Sequence, residues 1–308
     1  MNKQEFATKM AEIAADKLGE EYNVFAKDVQ KNNGVIYSGV VINRKNNNLS
    51  PTIYVEKLFE EYEKGTSLEE LTDLLISIYK EDTFNMNVDL GFFRNFESVK
   101  NMICYKLISV ERNEELLKNI PYEKVLDLAK VYYYVYNDSK LGKGSILIHN
   151  SHLKNWGITK LELDEAAEEN TPILNGWKCE SIDKLVTRLF KDKGFSPEEI
   201  ELQFKDKPEG TYMYVLTNTD DFLGAAAILY PGVLKEISSE YMDGDFYVLP
   251  CSIHEVILLW TGKAFDESEK EYIKSLVYEV NSTSLELCDI LSDSVYFYDS
   301  KEDKLTVA

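Results

Sequence analysis

Apolar residues near the start of the chain recur with the period of an α-helix and then alternate with the period of a β-strand. Residues 1–19 carry one apolar stripe, which predicts an amphipathic helix that ends at Gly19. Residues 22–29 and 34–42 are rich in aromatic and β-branched side chains, and they flank the turn cluster Asn32-Asn33-Gly34. This pattern predicts a β-hairpin after the first helix.

Helical spacing returns between Ile53 and Tyr62, and it predicts a second helix there. Ser67 and Glu70 form a capping-box pattern before another apolar stripe, which predicts a third helix. Residues 102–110 and 124–136 are rich in strand-forming residues and are predicted as strands, although the second could begin as a helix.

The polar, glycine-containing segment Asn137–Gly144 separates two apolar runs. Such a segment is typical of a long turn or a domain boundary. We therefore predict an N-terminal α+β region at 1–140 and a C-terminal domain at 141–308. A strand is expected at 145–149, directly after the boundary.

The C-terminal half alternates more regularly between strand and helix patterns. Thr159 and Glu162 form a second capping box, and Asn170-Thr171-Pro172 is expected to end the helix that follows. Further strands are predicted at 212–217, 225–230, 246–249 and 294–298, with helices at 233–242 and 266–280. The chain is therefore predicted to be an α+β protein in which helices pack on a mixed sheet, with two subdomains allowed.

Four segments of this chain resemble a family of uncharacterised proteins from Firmicutes, common in clostridial gut bacteria and known only as a domain of unknown function. These segments are residues 112–121, 153–171, 224–230 and 249–255. The resemblance extends from about residue 50 to the C-terminus. It implies no activity and no catalytic residues, and it implies that serine is more usual than cysteine at position 251.

The charge and hydropathy of the chain indicate which partners and which cellular compartment to expect. The 54 acidic and 34 basic side chains give a formal charge of −20, which disfavours direct binding to nucleic acid or anionic lipid. The first residues lack the apolar core of a secretory signal, and the apolar stretch 222–234 is too short to cross a membrane. We therefore expect a cytoplasmic protein whose four widely spaced cysteines stay reduced.

Reactive side chains come together at Cys251, His254 and Glu255. If the three groups touched, they could serve as nucleophile, base and orienting carboxylate. In an extended strand, however, His254 faces away from the other two side chains. The other interpretations are a capping box or the start of a buried strand at Ser252–Glu255, or an edge that binds a partner.

His149 and His152 are three residues apart, a spacing that would let both reach one metal ion on a helix. A polar turn between a strand and a helix, with Asn150 or Ser151 as N-cap, explains the same residues. The chain lacks the common phosphate, zinc-protease, hydrolase and calcium motifs. No metal and no cofactor is therefore predicted.

Tyrosine is abundant, with 20 residues in the chain. Tyrosine and tryptophan rings are enriched at interfaces, so Tyr132, Tyr134, Tyr136 and Trp156 are candidate partner-binding residues, although strand packing explains the tyrosines as well. The acidic helices are interpreted as solvated faces or as a mimic of nucleic-acid charge. We expect a non-enzymatic protein-binding or regulatory protein. The alternatives are a thiol-dependent hydrolase or transferase that uses Cys251 and His254, and an acidic inhibitor of a nucleic-acid-binding protein.

Overall fold

The structure is a computed structural model, and backbone contacts divide it into two compact units. The first unit contains residues 1–94 and 138–142, and the second contains residues 95–137 and 143–308. The domain division predicted at residues 140 and 141 stays a prediction. The structure describes residues 1–45, 50–81, 90–138, 142–196, 199, 212–260, 262 and 264–308.

The first unit is an α+β arrangement around one antiparallel hairpin. Its elements are α1 (Lys3–Leu18), β1 (Tyr22–Gln30), β2 (Ile36–Arg44), β3 (Thr52–Tyr54), α2 (Glu56–Glu63), α3 (Leu68–Glu81) and a 3-10 turn at Leu90–Arg94. β2 lies between β1 and β3. Apolar side chains of α1, β2, α2 and α3 form a buried core that includes Phe6, Met10, Ile42, Phe59 and Leu75. The predicted helix at residues 1–19, the hairpin and the Ser67 capping box are confirmed.

The second unit begins with a small sheet. Its elements are α4 (Phe96–Val99), β4 (Ile103–Ser109), α5 (Glu114–Leu117), β5 (Tyr122–Val125), β6 (Leu128–Asp138) and β7 (Gly142–Leu147), with 3-10 turns at Lys100–Met102 and Glu111–Asn113. β6 pairs with β4, β5 and β7. The strand predicted at 124–136 is confirmed from Leu128 onward, but the segment is not one continuous strand. A two-residue turn splits it into β5 and β6, and Leu126 in that turn has φ 56°. The centre of the predicted turn, residues 139–141, lies outside the described residues.

The remaining elements are α6 (Asn150–Trp156), α7 (Lys160–Asn175), β8 (Lys178–Ser181), α8 (Ile182–Asp192), β9 (Tyr212–Thr217), a 3-10 segment at Gly224–Leu229, α9 (Val233–Ile237) with a π turn at Ser238–Met242, β10 (Phe246–Leu249), β11 (Glu255–Trp260), α10 (Glu267–Thr283), β12 (Tyr296–Asp299) and β13 (Lys304–Val307). Their six strands form a larger sheet with the strand order β13-β12-β10-β11-β9-β8.

The α+β class is confirmed, but the sheets are antiparallel and not mixed as predicted. Parallel neighbours need long crossover connections. Here, β10 joins β11 and β12 joins β13 through short connections, and both pairs are antiparallel. The strand predicted at 225–230 is also wrong, because this segment is a buried 3-10 helix that packs against β4, β9 and β11.

Asp127, in the turn between β5 and β6, joins the small sheet to the large one. Its carboxylate accepts hydrogen bonds from Ser292 Oγ at 2.6 Å, from Ser294 Oγ at 3.0 Å and from the Tyr296 hydroxyl. These donors precede or begin β12 at the far end of the sequence. The second unit is therefore held together by polar contacts as well as by its apolar core.

Candidate functional site

The helix α7 carries several charged side chains and borders a groove in the second unit. Thr159 and Glu162 form the predicted capping box, because the Thr159 N–H donates to Glu162 Oε2 at 2.8 Å and the Glu162 N–H donates to Thr159 Oγ1 at 3.3 Å. The prediction that the helix ends at residues 170–172 is wrong. The helix continues through Pro172 to Asn175 and is capped by Gly176, whose φ is 58°.

Hydrogen bonds to the region of β4 stabilise α7 around Pro172, which has no backbone N–H to donate. Asn170 Nδ2 donates to the carbonyls of Lys100, at 2.6 Å, and Ile103, at 3.0 Å. The Tyr105 N–H donates to Thr171 Oγ1 at 3.0 Å. These bonds attach the last turns of α7 to β4, and this attachment offsets the hydrogen bond that a proline costs a helix. The segment 153–171, by which the chain resembles its family, thus contains residues that position this helix.

One side of α7 carries carboxylates that form ion pairs with a buried lysine. Lys130 of β6 is 3% exposed, and its Nζ lies 2.6 Å from Glu168, 2.8 Å from Asp164 and 2.9 Å from Glu123. Burial lowers the pKa of Lys130, but the hydrogen bonds to these three carboxylates more than compensate, so its pKa is raised. Tyr132 also donates to Asp164 at 2.7 Å. This Lys130 cluster fixes α7 on the small sheet.

The adjacent side of α7 borders a groove of about 400 Å³, which we call the acidic groove. Phe96 and Trp156 form its aromatic wall, with ring centroids 5.7 Å apart. Glu165 and Glu169 line it as well, and both are exposed. Within the part of the chain that the structure describes, neither glutamate makes an ion pair or a side-chain hydrogen bond, whereas Glu97 in the same groove pairs with Lys100 at 2.6 Å.

His149 and His152 lie at the start of α6, close to the aromatic wall. His149 is itself the N-cap, so the prediction that Asn150 or Ser151 caps this helix is wrong. The His149 N–H donates to His152 Nδ1 at 3.0 Å, and the His152 ring stacks on Trp156. Burial and the neighbouring His149 lower the pKa of His152. Across the described ranges, we find no group of three or more His, Cys, Asp or Glu side chains that could hold a metal ion.

Cys251, His254 and Glu255 are close in sequence, but their side chains are engaged separately. Cys251 is buried in an apolar cluster with Tyr247, Leu259 and Val295. Burial raises the pKa of its thiol to about 11, and the nearby carboxylates of Asp293 and Glu255 add to this effect. A base that activates a thiol has the opposite effect on its pKa.

Both ring nitrogens of His254 contact groups other than this thiol. Nδ1 accepts a hydrogen bond from the Leu223 N–H at 3.2 Å, and Nε2 lies 3.4 Å from Asp289 Oδ1. Because Nδ1 is an acceptor, the proton of the neutral ring is on Nε2, toward Asp289. The structure therefore does not bring Cys251 and His254 together as a hydrogen-bonded pair, and Glu255 begins β11 opposite Thr217. Thiol catalysis stays a prediction.

The tyrosine-rich strand lies mostly inside the second unit. Tyr132 is 0% exposed and Tyr134 is 9% exposed, while Tyr136 is half-buried. These rings therefore pack as strand residues and do not form an open surface. Trp156 is half-buried, and the structure places it in the lining of the acidic groove.

Sequence reasoning missed Lys130, Glu165 and Glu169. Lysine in a strand is ordinarily solvated, and the partners of Lys130 in α7 are 34 and 38 residues away in the sequence. For Glu165 and Glu169 a signal was present, since a capping box fixes the helical register and places both on one face. Nothing in that register showed which acidic residues had cationic partners.

Comparison with known proteins identifies the family of the chain. The chain belongs to a family of unknown function, DUF5688, whose model matches residues 3–300. This match confirms the resemblance inferred from the sequence and begins earlier than the predicted start at about residue 50. No curated protein and no solved structure matches the chain. Separately, no helix in the described residues is long and apolar enough to span a membrane.

Proposed function

We propose that this protein is a non-enzymatic binding protein of the bacterial cytoplasm, and that its acidic groove holds a basic segment of a partner protein. The observation that supports this proposal is the pair Glu165 and Glu169, two exposed carboxylates that form no ion pair among the described residues. The same helix pairs Asp164 and Glu168 with Lys130. Unpaired charge beside an aromatic wall is suited to a cationic partner, because arginine and lysine interact with both carboxylates and ring faces.

The spacing of the two glutamates favours an extended basic segment. Residues four apart in a helix are separated by about 6 Å along its axis. Alternate side chains of an extended strand point the same way and are separated by about 6.6 Å. A segment with arginine or lysine at every second position would therefore place successive cations opposite Glu165 and Glu169. If that partner were a nucleic-acid-binding protein, the carboxylates of the groove would take the place of nucleic-acid phosphates.

A labelled peptide with alternating arginine and alanine tests this proposal directly. We expect fluorescence anisotropy at low salt to show saturable binding, and binding should weaken as salt is raised, because exposed charges are screened over about 10 Å at 0.1 M ionic strength. The double variant Glu165→Gln, Glu169→Gln should weaken binding about fivefold, since two exposed ion pairs of up to about 0.5 kcal/mol each would be lost.

Two controls separate a site from general attraction to an acidic protein. The double variant Glu12→Gln, Asp16→Asn removes the same charge at the same spacing from α1, where both side chains are exposed. It should leave peptide affinity unchanged. Trp156→Leu should weaken binding while leaving the net charge as it is. Equal losses in the α1 and α7 double variants would contradict the proposal, as would a Trp156→Leu protein with full affinity.

A further inference from the structure

The face of α7 that borders the acidic groove continues toward the C-terminal end of the helix, and there it becomes apolar. Ile173 lies in the last turn of α7 and is 75% exposed, and its neighbour Leu174 is 38% exposed. Among the large hydrophobic side chains of the described residues, Ile173 is the most exposed. The row of groove residues on α7 is therefore followed by an apolar surface.

The helical register places Ile173 on the same face of α7 as the groove residues. Successive residues of an α-helix are rotated by about 100°, since one turn takes about 3.6 residues. Glu165, Glu169 and Asn170 line the groove and span an arc of about 140° on this count. Ile173 lies inside that arc, about 40° from Glu169. Leu161, which is 65% exposed near the other end of α7, lies outside it.

Neither packing nor helix formation explains an isoleucine at position 173. Its side chain is 75% exposed, so folding of the chain removes little of its apolar surface from water. Isoleucine also forms helices less readily than leucine, glutamate or lysine, because its branched Cβ restricts χ1. A bound segment that covers this side chain would give the isoleucine a role that the fold does not give it.

We infer that the basic segment in the acidic groove carries an aliphatic residue two positions from its second cation, and that this residue packs on Ile173. The inference rests on the proposed function and adds the apolar part of the recognised pattern. In that pattern, two cations of an extended segment lie opposite Glu165 and Glu169 through charge complementarity, and the aliphatic residue follows at the same spacing.

The lengths of the two elements agree with this arrangement. From Glu165 to Ile173 the helix rises about 12 Å, at about 1.5 Å per residue. Four residues of an extended strand span about 13 Å. A segment of five residues therefore reaches Glu165, Glu169 and Ile173 with alternate side chains, which all point toward α7.

Four labelled peptides of equal net charge, capped at both ends, test this pattern. Arg-Ala-Arg-Ala-Leu and its reverse sequence present the leucine in the two chain directions, and a matching pair has serine in place of leucine. Anisotropy titrations of the full chain should show about fivefold tighter binding for one leucine peptide than for its serine counterpart, the scale of covering part of one aliphatic side chain. This preference should persist as salt is raised, because salt screens the ion pairs and not the apolar contact.

Two variants of α7 locate the apolar contact. Ile173→Gln should abolish the preference for leucine and leave the affinity for the serine peptide unchanged. Leu161→Gln is the matched control, because it replaces another exposed aliphatic residue of the same helix that lies outside the groove face. This control should keep the preference. Thermal melts of both variants establish that the fold is retained.

The outcomes distinguish failure of this inference from failure of the proposed function. If none of the four peptides binds, the proposed function fails and the inference fails with it. If leucine and serine peptides bind with equal affinity, the groove still binds a basic segment, but the inference is overturned. It is also overturned if Leu161→Gln, and not Ile173→Gln, removes the preference for leucine.

Discussion

Two neighbouring sides of α7 carry the same kind of side chain in opposite electrostatic situations. Asp164 and Glu168 contact the buried Lys130, while Glu165 and Glu169 line the acidic groove without a cationic partner in the described structure. Each paired residue is one position before an unpaired one. The comparison shows that an acidic run locates a candidate binding surface only after its internal partners have been identified.

The difference also separates stability from recognition. A buried ammonium ion needs carboxylates and hydrogen bonds, because an isolated charge is costly to remove from water. An exposed glutamate has no such requirement, and its charge is available to a partner. We therefore expect substitutions on the two sides of α7 to act on different measurements.

The largest expected effect comes from replacing Lys130. Lys130→Met should lower the free energy of unfolding by about 3 kcal/mol, because it leaves Glu123, Asp164 and Glu168 close together without their shared cation. Urea unfolding measured by circular dichroism checks this value. Lys118→Met is the control, since Lys118 is 64% exposed and pairs only at the surface with Glu115. Equal, small effects of both substitutions would show that the Lys130 cluster contributes little.

The stability difference between the unmodified chain and Lys130→Met should also depend on pH. The pKa of Lys130 is raised in the folded state, so its stabilising contribution is fully present below the unfolded pKa, about 10.5, and is lost as pH rises further. The stability difference between the unmodified chain and Lys130→Met should be constant from pH 7 to about pH 10 and should narrow above that. Urea titrations at several pH values measure this difference, in which the shared tyrosine titrations largely cancel. If this stability difference were unchanged at pH 11, Lys130 would stabilise the fold through packing of its methylene groups and not through its charge.

A smaller effect is expected at the start of α7, which both sides share. Thr159→Ala should lower the free energy of unfolding by about 1 kcal/mol, the usual value for an N-cap. The reason is that it removes Thr159 Oγ1, which accepts a hydrogen bond from the Glu162 N–H. Thr159→Ser keeps the hydroxyl and should remain within about 0.5 kcal/mol of the unmodified chain. Chemical denaturation of both variants tests the difference. If Thr159→Ser were as damaging as Thr159→Ala, the threonine methyl group would matter more than the cap.

Local signals in the sequence predicted much of this architecture. The capping boxes at Ser67 and Thr159 act within one helical turn, so both helix starts were predictable without knowledge of the rest of the fold. The hairpin before residue 45 was predictable for the same reason, since its turn residues and alternating strands are adjacent.

Predictions failed where distant contacts decide the conformation. Ala225–Tyr230 has the apolar composition of a strand, but the close approach of Gly224 to Thr217 and His254 and the packing on β4 select a 3-10 helix. Proline ordinarily marks a helix end, yet α7 continues beyond Pro172, because Asn170 donates to the Lys100 carbonyl and Thr171 accepts from the Tyr105 N–H. Residue patterns contain no information about partners of this kind.

The candidate sites show the same limit. His254 was noticed because it lies three residues from Cys251, but its contacts are with Leu223 and Asp289, more than thirty residues away in either direction. Trp156 was predicted as a binding residue, and the structure places it at the acidic groove, although its role there stays a prediction. Side-chain chemistry can be read from the sequence, but the pairing that uses or neutralises it depends on the fold.

The smallest expected change in stability distinguishes the two sides of α7 most clearly. Substitutions on the groove side should raise stability, whereas a substitution on the Lys130 side should lower it. Glu165 and Glu169 are like charges four residues apart, an arrangement that destabilises a helix by about 0.2–0.5 kcal/mol. Glu165→Gln with Glu169→Gln should therefore raise stability by about that amount at low salt, and the gain should disappear at high salt. Glu168→Gln, one position away, should lower stability because it weakens a 2.6 Å contact with Lys130. Paired denaturation curves at two salt concentrations measure both signs. A loss of stability in the groove variant would mean that these glutamates support the fold, and the unpaired charge would then no longer be an argument for recognition.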